Sequence, residues 1–151
     1  RAGLDATDPS NRALAVTANN LACTLEEKTR RSPAERSLMI TAAQAARRYW
    51  ALAGGWLETE RAEYRLAMTW LQAGDPALAR HHAQQCLAIV QANGSAPLER
   101  FFASEALALA EAADGNAAGH AAALAQAREA FAALDEADQG WCRASLDKLA
   151  G

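Results

Sequence analysis

The sequence predicts an all-α fold built as a stack of antiparallel helical hairpins, and three observations carry that prediction. Alanine, the best intrinsic helix former, makes up about 27% of the 151 residues, and only 4 prolines interrupt them. Residues 62–80 read as one helix, a tight turn at Gly74-Asp75 and a second helix opened by Pro76. The Leu-Ala pair at the centre of the first of these helices recurs, as Leu21-Ala22, Leu66-Ala67 and Leu107-Ala108. Recurrence of a helical hairpin marks a stacked repeat. A chain of this length forms one domain, residues 1–151, and buries a core without staples.

The elements follow in order. Residues 1–8 are polar and expected to fray. Asp8-Pro9 reads as an N-cap followed by proline at the first helical position. Leu14, Ala18, Leu21 and Leu25 fall on one stripe, so helix 1 runs to about Lys28. The basic run Lys28-Thr29-Arg30-Arg31 suits a helix C-terminus, where cations meet the negative end of the dipole. Ser32-Pro33-Ala34-Glu35 is a capping box that opens helix 2, with Leu38/Met39, Ala42, Ala45/Ala46 and Tyr49/Trp50 inward and a stop at Gly54-Gly55. Helix 3 begins near Trp56, turns Leu66, Trp70 and Leu71 inward and stops at Gly74.

Helix 4 carries Leu78, Ala79, Ala83, Cys86, Leu87 and Val90 to an Asn93-Gly94 stop. Ser95-Ala96-Pro97-Leu98 opens helix 5, whose stripe is Phe101/Phe102, Leu107 and Ala108, and Asp114-Gly115-Asn116 ends it. Helix 6 is an alanine-rich run with Leu124, Ala127, Phe131 and Leu134. A short amphipathic helix, about 138–150, shows Trp141/Cys142, Ser145/Leu146 and Leu149 on one side and serves as the lid that a terminal repeat needs. The layout is three hairpins, about 9–53, 55–93 and 97–134, plus a C-terminal cap.

Charge and cysteine content narrow the function. A net charge of −3 and a pI near 5.6 argue against nucleic acid as the main partner. Residues 1–50 carry a net +3 and the remainder a net −6, an asymmetry able to orient a partner or a stack. Cys23, Cys86 and Cys142 lie far apart with no Cys-x-x-Cys, which fits a reducing, cytoplasmic compartment. No window has the roughly 18 consecutive apolar residues of a membrane span. The chain starts at Arg1 rather than Met, which points to removal of a tag or of a longer N-terminus.

Residues 62–91 resemble a tetratricopeptide repeat, whose pattern is Trp-x2-Leu-Gly-x2-Tyr, then Ala-x3-Phe, then Pro. With Leu66 on the motif leucine, Ala67 takes the small position, Trp70 the aromatic one, Gly74-Asp75 the turn and Ala79 the first alanine of the second helix. Small residues lie where the two helices touch, a large ring fills the gap between them, and glycine permits a left-handed turn. The departures are Glu63 where Trp is common, Ala83 where Phe is common and Gln91 where Pro is common. The spacings Leu21→Leu66 and Leu66→Leu107 are 45 and 41 residues, against about 34 in the family. "TPR-like" is therefore the apt description, and the whole chain is similar to helical-repeat segments of bacterial regulators and small bacterial proteins. The resemblance implies a right-handed α-solenoid.

It also implies a concave groove lined by the first helix of each hairpin. Position by position this gives Val16, Asn19 and Cys23, then Arg61, Tyr64, Met68, Leu71 and Gln72, then Phe102, Glu105 and Leu109. An apolar strip with Tyr64 and Arg61, types frequent at binding hot spots, suits an amphipathic helix or extended peptide. Leu71, Phe102 and Leu109 could equally be core between hairpins. The family's clamp for acidic C-termini needs Lys and Asn on successive first helices; here Asn19, Tyr64 and Glu105 hold one register and Cys23, Met68 and Leu109 the other.

Signals for chemistry are few. His82 and Cys86 are i, i+4, as in helical metal pairs, but no third ligand is local and His120 is on another hairpin. Glu58, Glu60 and Glu63 at the start of helix 3 read as partners of the helix dipole. Arg47-Arg48 beside Tyr49-Trp50 mixes cations and aromatics as nucleic-acid sites do, yet the helical spacing makes both rings core. There is no Gly-rich phosphate loop and no nucleophile motif. The expectation is a non-enzymatic module with neither metal nor cofactor that binds a protein or peptide in its groove, with neither nucleic acid nor membrane as partner. The rivals are a self-associating homodimer domain and a secretion-type chaperone.

Overall fold

A computed structural model describes residues 8–151. Among them the regular elements are all helices: α1 Ser10–Glu26, α2 Pro33–Ala53, α3 Trp56–Ala73, α4 Pro76–Ala92, α5 Pro97–Ala113, α6 Ala117–Ala132 and α7 Glu136–Ala150. The expected fraying of residues 1–8 lies, Asp8 apart, outside the described residues. α1 packs chiefly on α2, α3 on α4 and α5 on α6, and the pairs meet through α2–α3 and α4–α5. The odd-numbered helices also touch in series, α1 to α3, α3 to α5 and α5 to α7, whereas among the described residues α2, α4 and α6 do not touch one another.

Local chemistry accounts for the helix ends. Ser32 Oγ accepts the Glu35 N–H at 3.1 Å and the Glu35 carboxylate accepts the Ser32 N–H at 2.9 Å, a complete capping box. The hydrogen bond from Lys28 holds the Glu35 carboxyl down to about 2. Asp75 caps α4 through the Leu78 N–H, Asn116 caps α6 through the Gly119 N–H, and Asp135 caps α7 through the Asp138 N–H. The cap at Asp135 starts α7 two residues earlier than the sequence reading.

The turns after α3 and α5 are built alike. Gly74 and Gly115 adopt φ of 85° and 75°, the left-handed region open to glycine. Asp75 N–H returns to the Trp70 carbonyl at 2.9 Å, and Asn116 N–H to the Glu111 carbonyl at 2.9 Å, closing Schellman turns. α1 ends differently. It stops at Glu26, where the Arg31 guanidinium donates to the carbonyls of Leu25, Glu26 and Lys28. Arg31 reaches on to Gln72, and Arg36 to the Ala73 carbonyl, so the α1–α2 connection and the start of α2 also cap α3.

The α1 stripe is rotated from the expected one. Asn11, Ala15, Ala22 and Leu25 are buried, while Leu14 and Leu21 stay exposed. Close packing explains the shift, because Ala22 nests against Ala42, Ala43 and Leu66, an approach that larger side chains would prevent. Leu38 and Leu78, also read as inward, are exposed, while their neighbours Met39 and Ala79 are buried as expected. Tyr49 and Trp50, read as core, are half-buried, with the Arg12 guanidinium 5.1 Å from the Trp50 ring centre. The largest apolar cluster joins α5, α6 and α7: Phe101, Ala108, Ala123, Ala127, Ala130, Leu134, Cys142 and Leu149.

Candidate functional site

The odd-numbered helices converge on a cavity of about 500 Å³. α3 supplies Glu60, Arg61, Tyr64 and Arg65, and α5 supplies Leu98, Glu99 and Phe102. Spacings of three and four residues, as in Glu60/Tyr64, Arg61/Arg65 and Leu98/Phe102, bring each set to one side of its helix. α1 adds Asn19 and α7 adds Trp141. The Tyr64 and Phe102 rings meet edge to face at 5.9 Å, and Phe102 meets Trp141 in the same way at 5.4 Å. This is the arrangement that ring quadrupoles favour. Trp141 is 67% exposed, so the aromatic wall ends at solvent.

Beneath the rings lies a polar floor. Arg61 donates twice to Glu99, at 3.2 and 3.1 Å, and Arg65 donates to Glu26 at 2.6 Å. Thr69 also donates to Glu26, at 2.7 Å, and the Tyr64 hydroxyl donates to Glu105 at 2.9 Å. Burial and the neighbouring Glu105 push the Tyr64 hydroxyl up. Burial raises the Glu105 carboxyl too, although Tyr64 and Ser145 both donate to it.

Glu60 is the unusual member, a carboxyl only 1% exposed. Its Oε1 accepts the Cys86 thiol at 3.1 Å, and its Oε2 meets no protein N–H, hydroxyl or thiol donor. Burial, reinforced by a hydrogen bond shared with Glu99, pushes its pKa up to about 8. Burial thus favours the neutral acid at Glu60, which keeps its proton and donates it as a hydrogen bond to the Glu99 carboxylate. Burial opposes the charge on Glu99, but the Arg61 hydrogen bonds and the shared proton outweigh it and hold Glu99 low. Burial and the Glu60 carboxyl push the Cys86 thiol up, away from thiolate chemistry.

Glu60 and Glu63 correct the reading of the acidic run. Glu58 alone serves the helix start, accepting the Gly55 N–H at 2.8 Å, whereas Glu60 and Glu63 are buried and accept from Cys86 and His82 of α4. Glu63 accepts from His82 at 3.1 Å and Arg47 at 3.4 Å. The His82/Cys86 pair therefore faces two glutamates of α3. Among the described residues no group of three or more His, Cys, Asp or Glu is placed to hold a metal ion.

Of the groove residues read from the sequence, Asn19, Arg61, Tyr64 and Phe102 come together in the cavity. Glu105 lies buried below Tyr64, and Cys23 accepts a long 3.8 Å hydrogen bond from Asn19. Val16 is exposed on α1. Met68 packs against Ala67, Ala83 and Ala106, and Leu109 packs against the α5–α7 core. Leu71 is half-buried, and Gln72 is taken up by Arg31 at the end of α3. The sequence reading missed Glu60, Arg65, Leu98, Glu99 and Trp141. Spacing held a signal for some of them, since Glu60 stands four residues before Tyr64, and Leu98 and Glu99 stand four and three before Phe102.

Compared with family models, curated proteins and solved structures, the chain matches none. Among the described residues no helix is long and apolar enough to cross a membrane.

Proposed function

We propose that this chain is a non-catalytic recognition module, a right-handed TPR-like solenoid whose odd-helix face receives a peptide or helix. One side chain of the partner seats in the aromatic cavity. Two features support the solenoid: contacts run in series along the odd helices alone, and the Gly74 and Gly115 turns repeat the same bonds 41 residues apart. The observation that carries the binding role is the half-open wall of Tyr64, Phe102 and Trp141, drawn from three helices over a polar floor. Aromatic anchors beside arginine are what hot spots are made of. The three free thiols suit a reducing compartment, and we place the module in the cytoplasm.

Random peptides displayed on phage and selected on the chain test the proposal. The expected outcome is a consensus with one bulky anchor, bound about tenfold more weakly by Trp141→Ala. Selected peptides that bind Trp141→Ala as tightly as the parent would remove the cavity from the binding face.

One observation favours self-association as a second reading. Leu14 and Leu21, seven apart on α1, and Leu38 and Leu52, fourteen apart on α2, remain exposed on the first hairpin. A homodimer through that hairpin would cover them, and its mass in sedimentation would fall on dilution and for Leu21→Glu.

A further inference from the structure

We propose that the aromatic cavity is a receptor for an organic ammonium group, the lysine ammonium or its methylated forms, carried by the bound peptide and held between Glu60 and the rings of Tyr64, Phe102 and Trp141. The inference rests on the cavity being a peptide-binding site, and goes further in naming the chemistry of the anchor.

The charge balance of the cavity leads to this ligand. Arg61 is matched by Glu99 and Arg65 by Glu26. That leaves Glu60 and Glu105, two more carboxyls, with no cationic hydrogen-bond partner among the described residues. Glu105 is satisfied by Tyr64 below the rings, but Glu60 forms part of the cavity wall. Among the described residues the floor is one cation short there, and burial favours Glu60 keeping its proton. A carboxylate ligand would face the reverse problem, because both arginines already hold counter-ions. Ring faces attract ammonium groups, most strongly where water is excluded.

The groups facing Glu60 allow the exchange. They are Arg61 on its own helix, Cys86 on α4 and Glu99 on α5. From α1 the cavity receives neutral Asn19, with Glu26 tied to Arg65, and Arg47 of α2 is tied to Glu63. An ammonium arriving at Glu60 takes the place of the proton shared with Glu99, which leaves to solvent. Net charge in the cavity stays constant in the exchange.

Choline, n-butylammonium and the neutral choline isostere 3,3-dimethyl-1-butanol, titrated by tryptophan fluorescence, separate the possibilities. Both cations should bind at least about tenfold more tightly than the alcohol near pH 8. Because one proton leaves on binding, their affinity should rise by up to about tenfold per pH unit from about pH 6, levelling off above about pH 8. Glu60→Gln should abolish that pH dependence, and Trp141→Leu, at an exposed position, should weaken both cations without shifting the thermal midpoint. If the alcohol binds as tightly as choline, the ammonium inference is overturned and the peptide cavity survives. If no probe binds but selected peptides still depend on Trp141, the inference fails alone; if the peptides fail too, both readings fall. Unchanged cation binding by Glu60→Gln and by Trp141→Leu also overturns it.

Discussion

Phe101 and Phe102 are neighbours on α5 whose rings meet edge to face at 5.5 Å, yet only Phe102 reaches the cavity. Phe101 is fully buried in an apolar cluster of α5, α6 and α7, where alanines, Leu134, Cys142 and Leu149 surround it. Phe102 is half-buried, packs against the edge of that cluster and also lines a cavity floored by glutamates and arginines. The first interior gains stability from area removed from water, about 25 cal/mol per Å². In the second, compensated charges roughly cancel their desolvation cost, and what remains is a set of fixed polar groups below a ring wall. The contrast separates the part of the molecule that holds it together from the part proposed to receive a partner.

The contrast is most directly broken by truncating each ring. Phe101→Ala should destabilise the fold by about 3–5 kcal/mol, the usual range for a buried phenylalanine, measured by urea denaturation. Phe102→Ala should cost well under half of that and lower peptide binding instead. Equal losses of stability would mean that the cavity is simply more core.

Glu60 sharpens the comparison through pH. Its folded pKa of about 8 lies above the ordinary carboxyl value of 4.5. The unfolded chain therefore binds fewer protons between those values, so stability falls as pH rises. The contribution of Glu60 is fully present below about pH 4.5 and is lost as pH rises through about 8. Across that window the loss should be at most about 5 kcal/mol. Glu60→Gln, which mimics the protonated acid, should flatten the profile and be more stable than the parent at about pH 9. Parallel profiles for parent and variant would remove the buried acid from the account.

The sequence announced its helices well because their punctuation is local chemistry. Ser32-Pro33-Ala34-Glu35, Gly74-Asp75-Pro76 and Asp114-Gly115-Asn116 act on their own neighbours within a few residues. Helix faces were harder to read. In an alanine-rich chain the inward stripe is the one that lets backbones approach, so Ala15 and Ala22 displaced Leu14 and Leu21. The cavity was half visible for a related reason. Tyr64 and Phe102 are large and distinctive, but whether Glu60 serves a helix dipole or a buried floor depends on Cys86 and Glu99, 26 and 39 residues away. Charge on a helix looks like a solvated face until a partner is placed against it.

The smallest expected effect tests whether the molecule repeats. Gly74 and Gly115 sit in turns with the same hydrogen bonds, and a Cβ at either would meet nothing within 4 Å. Substitution by alanine therefore adds no clash and removes no contact, leaving only the left-handed backbone cost of about 1–2 kcal/mol. Gly74→Ala and Gly115→Ala should then lower stability by equal amounts in urea denaturation, although the Gly74 turn lies beside Ala73, whose carbonyl Arg36 holds, and the Gly115 turn beside Glu111 and Asp114, which pair with Arg80. Equal values would show the turn to be a repeated unit indifferent to its surroundings. A Gly115→Ala cost several times that of Gly74→Ala would tie this turn to the packing of α5 on α6, and the similarity of the two hairpins would end at their hydrogen bonds.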